Sequence, residues 1–295
     1  MTTLALLGVG NWGQNYLKEA EKIPGLQIKY VVAATPERLN YLPDKYIKTT
    51  NYKQALEDKS LDGVIIATPA PTHFKLAREF INKGFNILIE KPMTMRTKEA
   101  QELLYLSRQK NSTVLVGHLH LYNPAFLKVI DIIKNVGKIQ ALYFQAYNSP
   151  IRDDCTLIWD WGPHFVSMFL EITKKLPSET HANIFKDKAN IIFNFPGGAV
   201  AIADIDCKTR EKKRILTVLG NKGLILFNDI SDKKIILIRF FPTLKLSYPR
   251  YSKKSALLNE LKQFISAIKS KKRPKTDLQH GLVITKVLED IEGSS

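Results

Sequence analysis

The sequence predicts an α/β fold: an N-terminal parallel sheet followed by a C-terminal α+β domain built on a large, mostly antiparallel open sheet. Three observations carry this. Over the first 120 residues, short apolar runs alternate with amphipathic stretches, the pattern of successive βαβ units. A glycine-rich turn separates the first run from the first amphipathic stretch. After Pro124 the runs lengthen and alternate apolar with polar residues, divided by the turns Pro196-Gly197-Gly198 and Asn221-Lys222-Gly223.

Strands are expected at 3–8, 27–34, 62–67, 86–90 and 114–118, with helices at 12–22, 72–83 and 97–110 between them. A helix near 125–134 leads into the longer runs "KIQALYFQAYN", "ANIIFNFPGGAVAIADIDCK", "KRILTVLGNKGLILFND" and "KIILIRFF", and helical segments at 256–269 and 278–291 close the chain. The expected division is residues 1–120 and 121–295, with the C-terminal helix able to pack back on the first domain. No internal repeat or low-complexity segment is present.

At 295 residues, 44% hydrophobic and 24% charged, the chain has the composition of a globular protein with one large or two ordinary domains. Lys and Arg exceed Asp and Glu by 44 − 28 = 16, which favours anionic partners. The lysines are scattered, however, and the one dense run, "KSKKR" at 269–273, has no interleaved aromatics and no helix-turn-helix, zinc-finger or RNA-binding motif beside it. A nucleic-acid partner is therefore not expected. The longest apolar stretches fall short of a membrane span, and the opening "MTTLALLGVGNWG" has no basic segment before its glycines, so the expected location is cytoplasmic. Cys155 and Cys207 lie far apart without metal-ligand spacing, as in a reducing compartment, and no metal site is expected.

The chemistry-bearing residues fall at the expected strand ends. Gly8-Val9-Gly10-Asn11-Trp12-Gly13 follows a strand and opens a helix. In that context Gly8 permits a tight turn, Gly10 lets a pyrophosphate approach the backbone, Gly13 lets helix and strand pack closely, and the helix N-terminus attracts the anion. This is a dinucleotide-binding, Rossmann-type arrangement, with Asn11 beside the phosphate site and Trp12 chiefly a packing residue. The acid that would bind ribose hydroxyls after the second strand is replaced by Ala34, Thr35 and Pro36; Thr35 and Arg38 suit a 2′-phosphate, whereas Glu37 suits a ribose, so NAD and NADP both remain open. In "IIATPAPTHF", Thr68, Pro69 and His73 either line the cofactor cleft or simply start a helix. "NILIEKPMTM" ends a buried strand with Glu90 and Lys91, where an open α/β sheet binds ligands. In "WDWGPHF", Asp160 and His164 are four residues apart, so on a helix they would share a face and the carboxylate could orient an imidazole suited to removing a hydroxyl proton.

Taken in order, "GVGNWG", "ATPAPTH", "EKP", "VGHLHLYNPAF" and "DWGPH" resemble the glucose-fructose oxidoreductase / inositol dehydrogenase (GFO/IDH/MocA) family over essentially the whole chain. The resemblance implies a Rossmann domain with NAD or NADP contacted by the residues above, Glu90 and Lys91 included, and a second domain carrying the substrate. It places Lys91 beside the nicotinamide, where it can stabilise negative charge on the reacting oxygen. It sets Asp160 and His164 against substrate hydroxyls, with His118, Asn123 and Arg152 as further substrate residues. Asn15, "YNP" at 122–124 and Arg152-Asp153 before "IWD" give a narrower likeness to bacterial nucleotide-sugar 3-dehydrogenases, which oxidise C3 of a UDP-N-acetylglucosamine or its uronate for surface-polysaccharide or amino-sugar synthesis. Free-sugar or inositol dehydrogenases, and catalytically silent sensors, are the alternatives the same resemblance allows. The apolar side of "ALYFQAY" needs a cover, so a homo-oligomer, dimer or tetramer, is expected.

Overall fold

β1 (Thr2–Leu7) runs into the glycine turn and α1 (Asn11–Ala20), and is followed by β2 (Leu26–Val32), β3 (Ile47–Thr49), α2 (Lys53–Leu56), β4 (Gly63–Ile66), α3 (His73–Asn82), β5 (Asn86–Glu90), α4 (Thr97–Lys110) and β6 (Val114–Gly117). The computed structural model describes residues 1–148, 152–240 and 243–293. These six strands form one parallel sheet ordered β3-β2-β1-β4-β5-β6, the arrangement of a dinucleotide-binding domain. Both faces are covered, which explains the unbroken apolar runs: Val64, Ile66, Ile87 and Ile89 are fully buried among Phe80, Ile81, Leu103 and Leu278, and the alternating Ile65 and Leu88 are fully buried as well.

The chain continues through α5 (Pro124–Ile132), β7 (Ile139–Tyr147), α6 (Leu157–Thr173), β8 (Glu179–Ile184), β9 (Lys188–Asn194), β10 (Val200–Asp206), β11 (Lys213–Gly220), β12 (Gly223–Asn228), β13 (Ile235–Arg239), β14 (Lys245–Ser247), α7 (Ala256–Ser270) and α8 (Leu278–Gly293). The eight strands form a second sheet ordered β14-β13-β12-β11-β7-β10-β9-β8, antiparallel except where β10 joins β7. Its strands alternate buried with half-buried residues, so one face is core and the other partly open. Phe241, the last residue of the expected 234–241 run, lies outside the described residues.

Two compact units result. Met1–Leu119 with Ser255–Lys286 forms the first, and His120–Lys254 with Val287 onward forms the second. In the first, α7 packs on α1, and the segment before α8 is pinned to β6 by a pair of bonds, Val116 N–H to the Thr276 carbonyl and the Thr276 hydroxyl to the Val116 carbonyl, both 2.7 Å.

The fold class follows the sequence. The elements absent from the sequence reading are β3, α2, β8, β14 and α6. The strands β3 and β14 and the helix α2 are three or four residues long, too short for periodicity to register. The helix α6 is different: Gly162-Pro163 reads as a breaker, yet the helix runs through it. Leu157, Ile158, Trp159, Phe165, Val166, Met168 and Phe169 are all buried along it, and that packing outweighs the hydrogen bond Pro163 cannot donate.

Candidate active site

One group of candidate residues lies at the carboxyl end of the parallel sheet. Gly8 has φ +91°, and a Cβ there would come within 2.4 Å of the Ala67 carbonyl oxygen; a Cβ on Gly13 would be 2.0 Å from the Gly8 oxygen. Both must be glycine. Gly10 differs, because a Cβ there would meet only the Arg38 guanidinium, at 3.8 Å. Gly10 is also the N-cap of α1, no side chain caps that helix, and its first turn holds no acid. An open backbone at an uncapped helix N-terminus with an arginine beside it fits a dinucleotide pyrophosphate. Beyond β2, Thr35 hydrogen-bonds Glu37 and holds its carboxyl below the usual range, while Thr35, Glu37 and Arg38 all lie exposed near the glycine turn.

Glu90 ends β5 buried. It accepts from the Trp12 indole N–H, from Tyr16 Oη at 2.6 Å and from the Lys91 backbone N–H at 3.2 Å. Trp12 is thus both a packing residue of the glycine turn and a partner of the strand end. Burial raises the Glu90 carboxyl, opposed by these donors and the Lys91 charge. Lys91 is half-buried and also faces His118, whose basicity falls well below the ordinary 6.5 through burial, His280 and Lys91, in that order. His118 Nδ1 lies 3.1 Å from His280 Nδ1. His73 is fully buried, its ring nitrogens 2.7 Å from the Pro92 carbonyl and 2.8 Å from the Thr68 carbonyl. It ties the start of α3 to the Lys91-Pro92 turn, leaving Thr68 and Pro69 nearer the surface.

A second group, in the other unit, is built on α6. Asp160 is buried one turn into the helix, and His164 follows one turn later on the same face. The His164 ring lies edge-on to His120, centroids 5.0 Å apart, and to Trp161 at 5.5 Å. Arg214 stacks on the Trp161 ring at 4.2 Å and donates to the Tyr147 carbonyl at 2.7 Å. Burial lowers the Arg214 guanidinium, partly offset by Cys207, Asp160 and Asp229. Arg152 makes a two-pronged ion pair with Asp154, at 2.7 and 2.6 Å, which raises it further, with Asp160 adding to the effect. Asn123 caps α5 through the Ala125 N–H and donates to Asp229 at 3.0 Å.

Each sequence-predicted residue therefore falls in one of two groups. Gly8, Gly10, Asn11, Trp12, Gly13, Thr35, Arg38, Thr68, Pro69, His73, Glu90, Lys91 and His118 belong to the first unit, and Asn123, Arg152, Asp160 and His164 to the second. Sequence reasoning missed Tyr16, Glu260 and His280 in the first, and His120, Trp161, Arg214 and Asp229 in the second. His120 and Trp161 were within reach, inside motifs already quoted; Tyr16 lies on α1 just past the glycine turn, and the others are brought in by distant elements. Among the described residues no cluster suited to a metal occurs and no helix is long and apolar enough to cross a membrane.

Comparison with known proteins bears on both units. Residues 2–118 match the GFO/IDH/MocA model, an oxidoreductase family with an NAD-binding Rossmann fold. The uncharacterised oxidoreductase YrbE of Bacillus subtilis is 27% identical over 68% of this chain, and the matched stretch spans 65% of YrbE, just under two thirds. UDP-N-acetylglucosamine 3-dehydrogenase of Acidithiobacillus ferrooxidans is 25% identical over 70% of each chain. The crystal structure of an oxidoreductase from Magnetospirillum magnetotacticum superposes with TM-score 0.88 at 25% identity, covering 97% of this chain and 98% of that one. With the glycine turn, the sheet order and the strand-end lysine in place, residues 2–118 form a Rossmann domain that matches the NAD-binding fold of the GFO/IDH/MocA oxidoreductase family.

Proposed function

We propose that this protein transfers a hydride between a secondary hydroxyl of a sugar, C3 of a nucleotide sugar, and a nicotinamide dinucleotide. The observation that carries the reading is Lys91: a half-buried ammonium at a strand end, flanked by the buried acid Glu90 and by a histidine that burial and neighbouring charge keep neutral. Gly10 and the N-terminus of α1 hold the pyrophosphate, with Arg38 beside it, and Thr35 and Glu37 face the adenosine ribose. The dinucleotide, when bound, supplies the hydride acceptor. Lys91 donates a hydrogen bond to the substrate oxygen as negative charge develops on it. His164 takes the hydroxyl proton, and Asp160, one turn back on α6, orients the imidazole and stabilises its positive charge. In the reverse direction His164 returns that proton.

Similarity to the UDP-N-acetylglucosamine 3-dehydrogenase supports a nucleotide sugar. Since Arg152 is engaged by Asp154, its part in binding phosphates is that of one charge within an ion pair. The half-buried row Ile236, Leu226, Thr217, Tyr143, Ile202 and Ile192 crosses six neighbouring strands on the open sheet face and suits a second copy of the chain. Cys155 and Cys207, neither of them in a disulfide, suit the cytoplasm.

A thermal-shift screen with NAD and NADP separately, against UDP-sugars, free hexoses and inositols, tests the substrate. A ligand at about 100 times its Kd stabilises the native state by about 2.7 kcal/mol. The expected result is stabilisation by a UDP-sugar in the presence of dinucleotide. Stabilisation by a free polyol and by no nucleotide sugar makes the protein a polyol dehydrogenase instead.

A further inference from the structure

In the first unit two carboxyls are buried on either side of one hydroxyl. Tyr16 Oη, on α1, lies 2.6 Å from Glu90 Oε1 and 3.0 Å from Glu260 Oε1 on α7, and both Tyr16 and Glu260 are fully buried. One hydroxyl has one proton. Glu90 also accepts from the Trp12 indole and the Lys91 N–H, the donor set of an anion, and the shorter contact assigns it the Tyr16 proton as well. The Tyr16 oxygen then faces Glu260 as an acceptor. A carboxylate at Glu260 would set lone pair against lone pair, with its second oxygen, Oε2, buried without any hydrogen-bond partner. A carboxylic acid there completes a chain of donors instead: Glu260 O–H to Tyr16, Tyr16 O–H to Glu90.

We propose that Glu260 is a neutral acid in the folded protein and a positioning residue for Lys91: its proton commits the Tyr16 proton to Glu90, fixing one negative charge against which Lys91 and the glycine turn are held. The lysine half of this rests on the role given to Lys91 above; the protonation does not. Burial and the Glu90 charge push Glu260 well above the ordinary 4.5, in agreement with the hydrogen-bond geometry. The ionisable groups facing the pair are Tyr16 from α1 and Lys91 from the end of β5.

A carboxyl that keeps its proton in the folded state and loses it on unfolding makes stability fall as pH rises above its ordinary value, until the folded protein also releases the proton. The full chain, without substrate, is unfolded in urea at several pH values between about 6 and about 8, alongside E260Q, which retains shape and an N–H donor but no titratable proton. The folding constant of the wild type is expected to fall about tenfold per pH unit relative to E260Q, or about 1.36 kcal/mol. Parallel pH dependence in the two proteins overturns the proposal. For positioning, turnover is compared in E260L and E260Q: E260L loses about tenfold or more in kcat, and E260Q recovers most of it because the amide again donates to Tyr16. Equal impairment of both variants overturns the positioning role. If E260L does not fold, the pH comparison still decides, and because it requires no turnover its failure is distinct from failure of the Lys91 assignment.

Discussion

At the scale of single residues, the three glycines of the turn separate packing from binding. Gly13→Ala drives a methyl to within 2.0 Å of a backbone oxygen, so a loss of about 1–3 kcal/mol or more, seen as a lower Tm, is expected. Gly10→Ala meets no such contact; its Tm should hold while its Kd for NAD, measured by calorimetry, rises about tenfold or more because the methyl occupies the pyrophosphate's approach. Unchanged NAD affinity in G10A would remove the phosphate from this turn. His118 gives a pH-dependent expectation. Its basicity in the folded state is well below the ordinary 6.5, so below about pH 6.5 the unfolded chain takes up a proton that the folded one refuses. Stability is complete above that value and declines as pH falls, and H118F should decline less by up to about 1.4 kcal/mol per pH unit, read from urea midpoints. Residues of this kind were legible in sequence when they sat at a strand end or in a spaced motif: Gly10, Lys91, Asp160 and His164. Glu260 and His280 were not, because only the folded chain brings α7 and the start of α8 to the ends of β5 and β6, and Tyr16, on α1, shows its part only through its bonds to Glu90 and Glu260.

At the scale of elements, the parallel sheet was readable because both its faces are buried, giving short, continuous apolar strands bounded by breakers. The helix α6 was not, since Gly162-Pro163 is a local stop signal that only tertiary packing overrides. Its start is held from the end of the chain: Thr156 and the Trp159 indole both donate to Glu292, the latter at 2.7 Å. Glu292→Ala leaves the buried Trp159 N–H without its acceptor, and a destabilisation of about 1–3 kcal/mol is expected in urea unfolding. A change of only a few tenths would mean that α6 is held by its apolar face alone.

At the scale of the whole molecule, the net charge of +16 described a surface and did not identify a partner, whereas the order of five short motifs pointed to the family whose NAD-binding model residues 2–118 match. The open face of the eight-stranded sheet carries the expectation of self-association: light scattering should give a multiple of 33.6 kDa, and replacing Ile202 with Lys should shift it toward a single chain. A lone 33.6 kDa species in the unaltered protein would leave that face without its proposed cover. The central claim, that Lys91 stabilises the oxygen that gains charge during hydride transfer, is tested most directly by comparing wild type and Lys91→Ala for NAD affinity and for reduced nicotinamide formed with the sugar substrate found by thermal shift. The account predicts NAD binding within about threefold of wild type and a kcat lower by about 10²-fold or more, the loss of one transition-state charge contact. A K91A protein that turns over at close to the wild-type rate would contradict it.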